Sequence, residues 1–129
     1  MEPFLTSGRL IVCRDLRAGP SRGEVVVFPH PHRPAMWLVK RIVGLPGEEV
    51  MIDFGEVVID GRPGMDRWGS NLDTFPEGKW HLGKEEVLVL SDNRRATADD
   101  GRTFGPVPTP GMFRMVWPRT RHVSSRLPK

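Results

Sequence analysis

The sequence predicts a small all-β protein, with a folded-sheet or barrel-like core that carries a short inserted loop or cap. Short apolar runs rich in Val and Ile, each bounded by Gly or Pro, are typical of strands. The 14 Gly and 13 Pro among 129 residues leave little room for long helices. A chain of this length has the size of one domain, so we expect a single fold rather than a multidomain assembly.

Seven segments have the strand pattern, at residues 9–13, 24–28, 37–44, 49–53, 56–60, 86–90 and 113–117. Phe54-Gly55 lies between two alternating runs and predicts a two-residue hairpin loop, and Asp60-Gly61 marks the next turn. Residues 29–34 contain three prolines and predict a stiff, extended connector. Residues 61–79 lack periodicity and predict the inserted loop or cap. No segment predicts a helix.

The charge is modest in sum but uneven along the chain. Lys and Arg number 19 against 16 Asp and Glu, a formal net charge of +3, and six basic residues but no acidic one follow Asp100. Such a basic end is attracted to anionic lipid or to nucleic-acid phosphates, or it is only a solvated terminus. The four Trp do not alternate with Lys or Arg as on a base-stacking surface, so we expect no nucleic-acid partner.

The sequence predicts neither a metal nor another cofactor. Its single cysteine, Cys13, cannot close an intrachain disulfide, and its four His do not have metal-ligand spacing. No apolar run approaches the roughly 20 residues that cross a bilayer, so the chain as given is expected to be soluble.

Lys40 is the first candidate for chemistry. It lies in the middle of the predicted strand 37–44, between apolar residues. Burial disfavours an ammonium ion and lowers its pKa, which a lysine needs to act as a general base at neutral pH. The alternative is a strand lysine whose amine reaches water. Arg41 points to the opposite face by strand alternation, so the two neighbours must have different roles.

The polar segment 91–102 follows a strongly apolar strand and predicts a loop. Asp and Asn favour turns, so an ordinary surface turn is one interpretation. The density of carboxylates and guanidinium groups also fits an ion-paired scaffold around a site, with Asp100 and Arg102 close enough to bridge. Composition alone does not choose between them.

Two long segments resemble the signature boxes of type I signal peptidases, the S26 family of serine/lysine proteases. Residues 40–48 (KRIVGLPGE) resemble the lysine box, and residues 91–107 resemble the G-D-N-R…D-S-R-x-F-G-x-V box. Residues 50–61 look like the hairpin of that family. The resemblance runs to about Pro118 and implies an all-β catalytic domain at 1–120, with the insertion 61–79 and a basic tail at 121–129.

The N-terminus resembles the S-M-x-P-T-L box, in which the serine just before Met is the nucleophile. The chain begins at the matching Met1, and Ser7 falls at a turn out of that register. We therefore expect the chain as given to lack the nucleophile and to be inactive. A start assigned too late, a truncation and a natural relic each give this sequence.

The resemblance implies a serine/lysine dyad in which the uncharged Lys40 amine is the general base. Thr97 matches the hydroxyl residue that orients the lysine. Asp100 and Arg102 match an ion pair beside the site, and because the loop is one residue longer than the common pattern, Asp99 is a rival for Asp100. Arg41, Asp92 and Asn93 are the other supporting residues.

Further positions match substrate-binding pockets whose small size favours Ala at the first and third residues before the cut: Met1, Pro3, Leu5, Leu38 and Val39. Two positions depart from the family. Ser91 stands where the family usually has Gly, and Arg9 where it usually has Asp.

The resemblance thus implies a serine endopeptidase that removes N-terminal signal peptides from exported proteins after Ala-x-Ala. Its partners would be those signal peptides and a membrane surface. Phe4 and Trp117, beside basic residues, would suit contact with that surface. An upstream anchor would place the protein on the extracytoplasmic face. One alternative is an inactive relic that serves as a peptide-binding or membrane-surface module. Another is a self-cleaving repressor-type domain, which needs a DNA-binding domain and an internal cleavage site that the sequence does not show.

Overall fold

The computed structural model of the protein describes residues 12–16, 19–69 and 74–117. Most of the regular structure is β, which confirms the fold class predicted from the sequence. The described residues include one helical turn, α1 (Gly101–Phe104). The strands are β1 (Val12–Asp15), β2 (Val25–Pro29), β3 (Trp37–Gly44), β4 (Glu49–Asp53), β5 (Glu56–Ile59), β6 (Arg62–Pro63), β7 (Gly78–His81), β8 (Glu86–Leu90), β9 (Val107–Pro108) and β10 (Phe113–Trp117).

The strands form two antiparallel sheets. The larger sheet has six strands in the order β1-β10-β2-β3-β8-β9, and the smaller has four in the order β6-β5-β4-β7. Strands β3 and β8 are hydrogen-bonded neighbours, with Arg41 opposite Leu90. The loop that follows Leu90 therefore begins beside the middle of β3.

Two hydrophobic cores share strand β8. Val87 and Val89 belong to the first core, whereas Leu88 and Leu90 belong to the second. Successive residues of a strand point to opposite faces, so β8 is buried on both sides. This explains why its sequence is a continuous apolar run rather than an alternating one. The second core joins β8 to residues of the smaller sheet: Val50, Ile52, Val57 and Ile59.

Both predicted turns of the smaller sheet are confirmed. Phe54 and Gly55 have φ angles of 51° and 79° between β4 and β5, and Asp60 and Gly61 have φ angles of 51° and 77° between β5 and β6. Positive φ at both central residues is typical of a type I′ turn, whose twist matches that of the flanking strands.

Gly44 ends β3 at a place where no side chain fits. A Cβ there would lie 2.7 Å from Cγ2 of Val50 and 2.8 Å from Cδ1 of Leu82. The register between β3 and β8 also shifts between Ile42 and Gly44. The close approach lets β3 contribute to both cores within a few residues.

The prediction of an extended connector at 29–34 is wrong. Pro29 is the last residue of β2, and the chain then turns back, with the N–H of His30 donating to the carbonyl of Met36 at 2.8 Å and the N–H of Met36 to that of Arg33 at 2.8 Å. The reason is that β3 pairs antiparallel with β2, and Pro29 faces Trp37. The chain must therefore reverse within seven residues.

Strands β6, β7 and β9 and helix α1 were not predicted. Strands β6 and β9 are only two residues long and each contains a proline, and Trp80 is the one strand-favouring residue of β7, so β-propensity gave too weak a signal. Strands β6 and β7 lie at the two ends of the predicted insertion and join the smaller sheet. Residues 9–11 of the first predicted strand, 70–73 of the insertion and the tail 121–129 lie outside the described residues.

Candidate active site

Lys40 lies on the apolar face of β3. Its cross-strand neighbour on β2 is the fully buried Val26, and Leu38 and Ile42, which share its face by strand alternation, belong to the first core. The residue is 8% exposed. Burial therefore lowers the pKa of the Lys40 amine below its ordinary value, and the negative charge of Asp100 opposes this only in part.

The Lys40 amine contacts a hydroxyl rather than a carboxylate. Its Nζ donates to Oγ of Ser91 at 2.9 Å, and among the described residues it forms no ion pair. Ser91 is the first residue after β8, and it is 3% exposed. The pairing of β3 with β8 brings the two side chains together across 51 positions of sequence.

Arg41 lies on the opposite face of β3 and is bound on several sides. Its Nε and NH2 donate to the two carboxylate oxygens of Asp92, both at 2.9 Å, and its NH1 donates to the carbonyl of Gly23 at 2.8 Å. The guanidinium carbon lies 5.8 Å from the ring centroid of Trp68. The side chains of Arg41 and Asp92 are each 1% exposed, so this is a buried bidentate pair.

Asp100 and Arg102 form a second buried pair, with both side chains 0% exposed. The Arg102 guanidinium donates to both carboxylate oxygens, at 2.9 and 2.6 Å. Asp100 also caps helix α1 by accepting the N–H of Arg102, and it accepts the N–H of Ser91 at 2.8 Å. Burial alone would raise the pKa of the Asp100 carboxyl, but these hydrogen bonds and the Arg102 charge lower it below its usual value.

Asp99 has a different set of contacts. It accepts from Nε2 of His30 at 3.0 Å and from Arg33 at 3.4 Å, and its side chain is 33% exposed. Nδ1 of His30 accepts the N–H of His32, so Nε2 carries the proton that is donated to Asp99. Asp99 thus joins the loop to the turn after β2, and the structure places Asp100, not Asp99, with Arg102.

The structure does not bring the Thr97 hydroxyl to Lys40. Thr97 is exposed; its Oγ1 accepts the N–H of Asp99 at 3.0 Å, and its carbonyl accepts from Arg102. Ser91 makes the contact expected of Thr97 because it directly continues β8 beside β3. The clue in the sequence was the departure at position 91, where a hydroxyl replaces the usual Gly.

Part of the predicted insertion is tied to the loop that follows β8. Arg94 is 5% exposed and forms an ion pair with Asp66, and its NH1 donates to the Thr74 hydroxyl at 3.1 Å. Arg102 donates to the carbonyl of Phe75 at 2.6 Å. Sequence reasoning missed Asp66, Trp68 and Thr74, because the segment has neither periodicity nor a recognisable spacing.

The other predicted site residues differ in how deeply they are buried. Leu38 packs in the first core, Val39 is half-buried, and Asn93 is exposed. Met1, Pro3 and Leu5 lie outside the described residues. A largely apolar cavity of about 260 Å³ lies among Phe28, Pro31 and Val107, and Lys40 does not line it.

Two further findings concern the described residues alone. In ranges 12–16, 19–69 and 74–117 no three His, Cys, Asp or Glu lie close enough together to hold a metal ion. Across the same ranges, no helix has the length and apolar character needed to cross a membrane.

A lysine amine that is buried in an antiparallel β fold, with a hydroxyl as its contact, has access to the neutral form in which it can accept a proton. The chain matches the family described as "Signal peptidase, peptidase S26" over residues 1–113, and it belongs to that family. It is 33% identical to the probable signal peptidase I-2 of Synechocystis over 137 residues, which cover 94% of this chain and 61% of that protein.

Two more relatives agree with this assignment. The signal peptidase I of Leptolyngbya laminosa is 33% identical over 97 residues, covering 69% of this chain and 47% of that protein. The crystal structure of a signal peptidase I from Enterococcus faecalis V583 superposes with a TM-score of 0.60 at 25% identity, covering 72% of this chain and 92% of that one. The chain thus spans about half the length of the Leptolyngbya protein and about three-fifths of the Synechocystis protein.

Proposed function

We propose that this chain is the catalytic core of a serine endopeptidase that removes N-terminal signal peptides from exported proteins. The observation that carries the proposal is Lys40: its amine is buried on an apolar face, its pKa is lowered, and its contact is a hydroxyl. A lysine held in this way has access to the neutral form that a general base requires.

In the proposed reaction, the hydroxyl of a serine attacks the carbonyl of the scissile peptide bond and passes its proton to Nζ of Lys40. The protonated amine then gives that proton to the leaving amine, which leaves an acyl-enzyme that water hydrolyses with Lys40 again as base. From the resemblance of the N-terminal box, we propose the position before Met1 for the nucleophile.

The experiment compares the 129-residue chain with a chain that carries a serine and an upstream segment before Met1. We expect the extended chain to cleave a peptide after Ala-x-Ala, and we expect Lys40→Ala to lower kcat/KM by at least about 100-fold. Lys79→Ala is the matched control, because the Lys79 amine is exposed and pairs with Glu49 on the smaller sheet. Activity of the unextended chain that survives Lys40→Ala would contradict the dyad.

The preference for small residues has its own test. The half-buried Val39 lies beside Lys40 on β3 and matches a pocket position of the family. A peptide with Leu in place of Ala at the first residue before the cut should be cleaved at least about tenfold more slowly, because a shallow pocket rejects the larger side chain. Equal cleavage of both peptides would remove Ala-x-Ala from the proposal.

We also propose that exposed apolar side chains of β1, β3 and β10 in the larger sheet contact a membrane surface on the extracytoplasmic face. Trp37 is 53% exposed, and its ring centroid lies 6.3 Å from that of Phe113; Val12 and Val116 are also exposed. Trp37→Ala should weaken co-sedimentation with vesicles of anionic lipid, whereas Phe54→Ala, on the smaller sheet, should not. Equal binding by both variants would contradict this surface.

A further inference from the structure

We propose that Ser91 is the residue that positions the Lys40 amine, the role that the family resemblance gives to Thr97. This inference rests on the peptidase function proposed above. Its first support is direct geometry, because Nζ of Lys40 donates to Oγ of Ser91 at 2.9 Å. Ser91 is 3% exposed, so water competes poorly for that contact.

The backbone of Ser91 is fixed on both sides by buried charged groups. Its N–H donates to the Asp100 carboxylate at 2.8 Å, and its carbonyl accepts from Nε of Arg94 at 2.8 Å. Asp100 is itself held by Arg102, with both side chains fully buried. The Asp100–Arg102 pair thus holds the backbone segment whose side chain carries the hydroxyl to Lys40.

Position 91 supplies the hydroxyl contact to Lys40 that position 97 does not supply. The loop has one residue more than the common pattern before Asp100, and Thr97 lies at the surface, where its hydroxyl accepts the N–H of Asp99. A Gly at position 91 would then leave Lys40 without a hydroxyl contact among the described residues. Ser91 supplies that contact from the strand end.

The contact matters because a neutral amine has two N–H groups and one lone pair. Donation of one N–H to Ser91 restricts rotation about the Cε–Nζ bond of Lys40 and so restricts where the lone pair points. Ser91 therefore acts on the geometry of the base. It is a positioning residue, and its buried hydroxyl is not open to a substrate carbonyl.

The test uses Ser91→Ala and Thr97→Val, each in two forms of the protein. In the 129-residue chain, ¹³C-lysine NMR measures the titration of Lys40, one of only four lysines. In the chain extended with the upstream serine, peptide cleavage gives kcat, KM and the pH profile. Ser91→Gly, which restores the usual residue of the family, is a second variant in case Ala perturbs folding.

We expect Ser91→Ala to shift the titration of Lys40 to lower pH, because an acceptor that favours the ammonium ion is lost. We also expect it to lower kcat by about tenfold or more with little change in KM, and to shift the acid limb of the pH profile in the same direction. Thr97→Val should change kcat by less than about twofold.

Several results would overturn the proposal. An unchanged Lys40 titration or an unchanged kcat in Ser91→Ala would do so, and so would a larger effect of Thr97→Val. Cleavage by the unextended chain that Ser91→Ala abolishes would make Ser91 a nucleophile instead. If the extended wild-type chain cleaves no peptide while the titration shifts as expected, the peptidase function fails and the Ser91 contact stands.

Discussion

Lys40 and Arg41 are adjacent basic residues on one strand, and the two faces of β3 surround their side chains with different groups. The Arg41 face supplies a bidentate carboxylate, a backbone carbonyl and an aromatic ring. The Lys40 face supplies apolar side chains and one hydroxyl. A buried guanidinium that is paired with a carboxylate stays charged and holds the surrounding structure in place. A buried amine without an ion-pair partner is costly to keep charged, so it gains access to its neutral form.

The largest expected effect comes from removing the compensation on the Arg41 face. Asp92→Asn leaves the guanidinium buried without its negative partner, and it should lower the free energy of unfolding by about 3–5 kcal/mol. Denaturant unfolding measures this directly. Glu49→Gln, which weakens solvent-accessible contacts with Lys79 and His81, is the control and should cost less than about 1 kcal/mol. Equal losses in the two variants would show that burial is not what makes the Arg41 pair important.

The second effect concerns the buried Asp100–Arg102 pair, which holds the loop after β8. Asp100→Asn should lower the free energy of unfolding by about 3 kcal/mol, because Arg102 stays buried and unpaired. In the extended chain it should also lower activity, because Asp100 holds Ser91. Asp99→Asn should cost less than about 1 kcal/mol, since Asp99 is partly exposed and an amide oxygen can still accept from His30. A harmless Asp100→Asn beside a damaging Asp99→Asn would contradict the assignment.

The pH dependence of this loss has a defined sign. The pKa of Asp100 is lowered in the folded protein, so its contribution is present above the ordinary pKa of an aspartate and is lost as the pH falls. The difference in stability between the wild type and Asp100→Asn should therefore shrink in acid. A difference that stays constant from neutral pH into acid would argue against a charged Asp100.

The smallest effect is a gain. Lys40→Met replaces a poorly solvated amine on the apolar face by a side chain of similar length, and it should raise the free energy of unfolding by about 1 kcal/mol at neutral pH. Because folding lowers the pKa of Lys40, the unfolded chain binds more protons, and wild-type stability rises with pH through that interval. The gain should therefore diminish in alkali. A Lys40→Met variant less stable than the wild type would mean that the lysine is compensated after all.

The β fold and its turns were predictable because they depend on local patterns. Positive φ at Phe54-Gly55 follows from a two-residue loop between alternating runs, and the continuous apolar run 86–90 fits a strand buried on both faces. The turn after Pro29 was not predictable in the same way. Three prolines favour extension locally, but the antiparallel pairing of β2 with β3 requires a reversal.

The sequence indicated which residues form the site, but it did not indicate which of their side chains contact one another. Burial of Lys40 and the loop position of Asp100 could be inferred from the residues around them. Which hydroxyl reaches Lys40 depends on the β3–β8 register and on the path of a loop with one additional residue, and neither is visible in composition. The support of Arg94 by Asp66 and Thr74 depends likewise on a nonlocal approach.

The claim that Lys40 is the less compensated of the two cations is tested most directly by its own titration. Lysine labelled with ¹³C at the ε carbon allows the Lys40 resonance to be followed with pH in the folded chain and in the urea-unfolded chain, with Lys40→Met used for assignment. We predict that Lys40 loses its proton at lower pH in the folded chain than in the unfolded one. A folded-state titration at the same or a higher pH would show that its charge is compensated like that of Arg41, and would contradict the proposed role of Lys40 as the base.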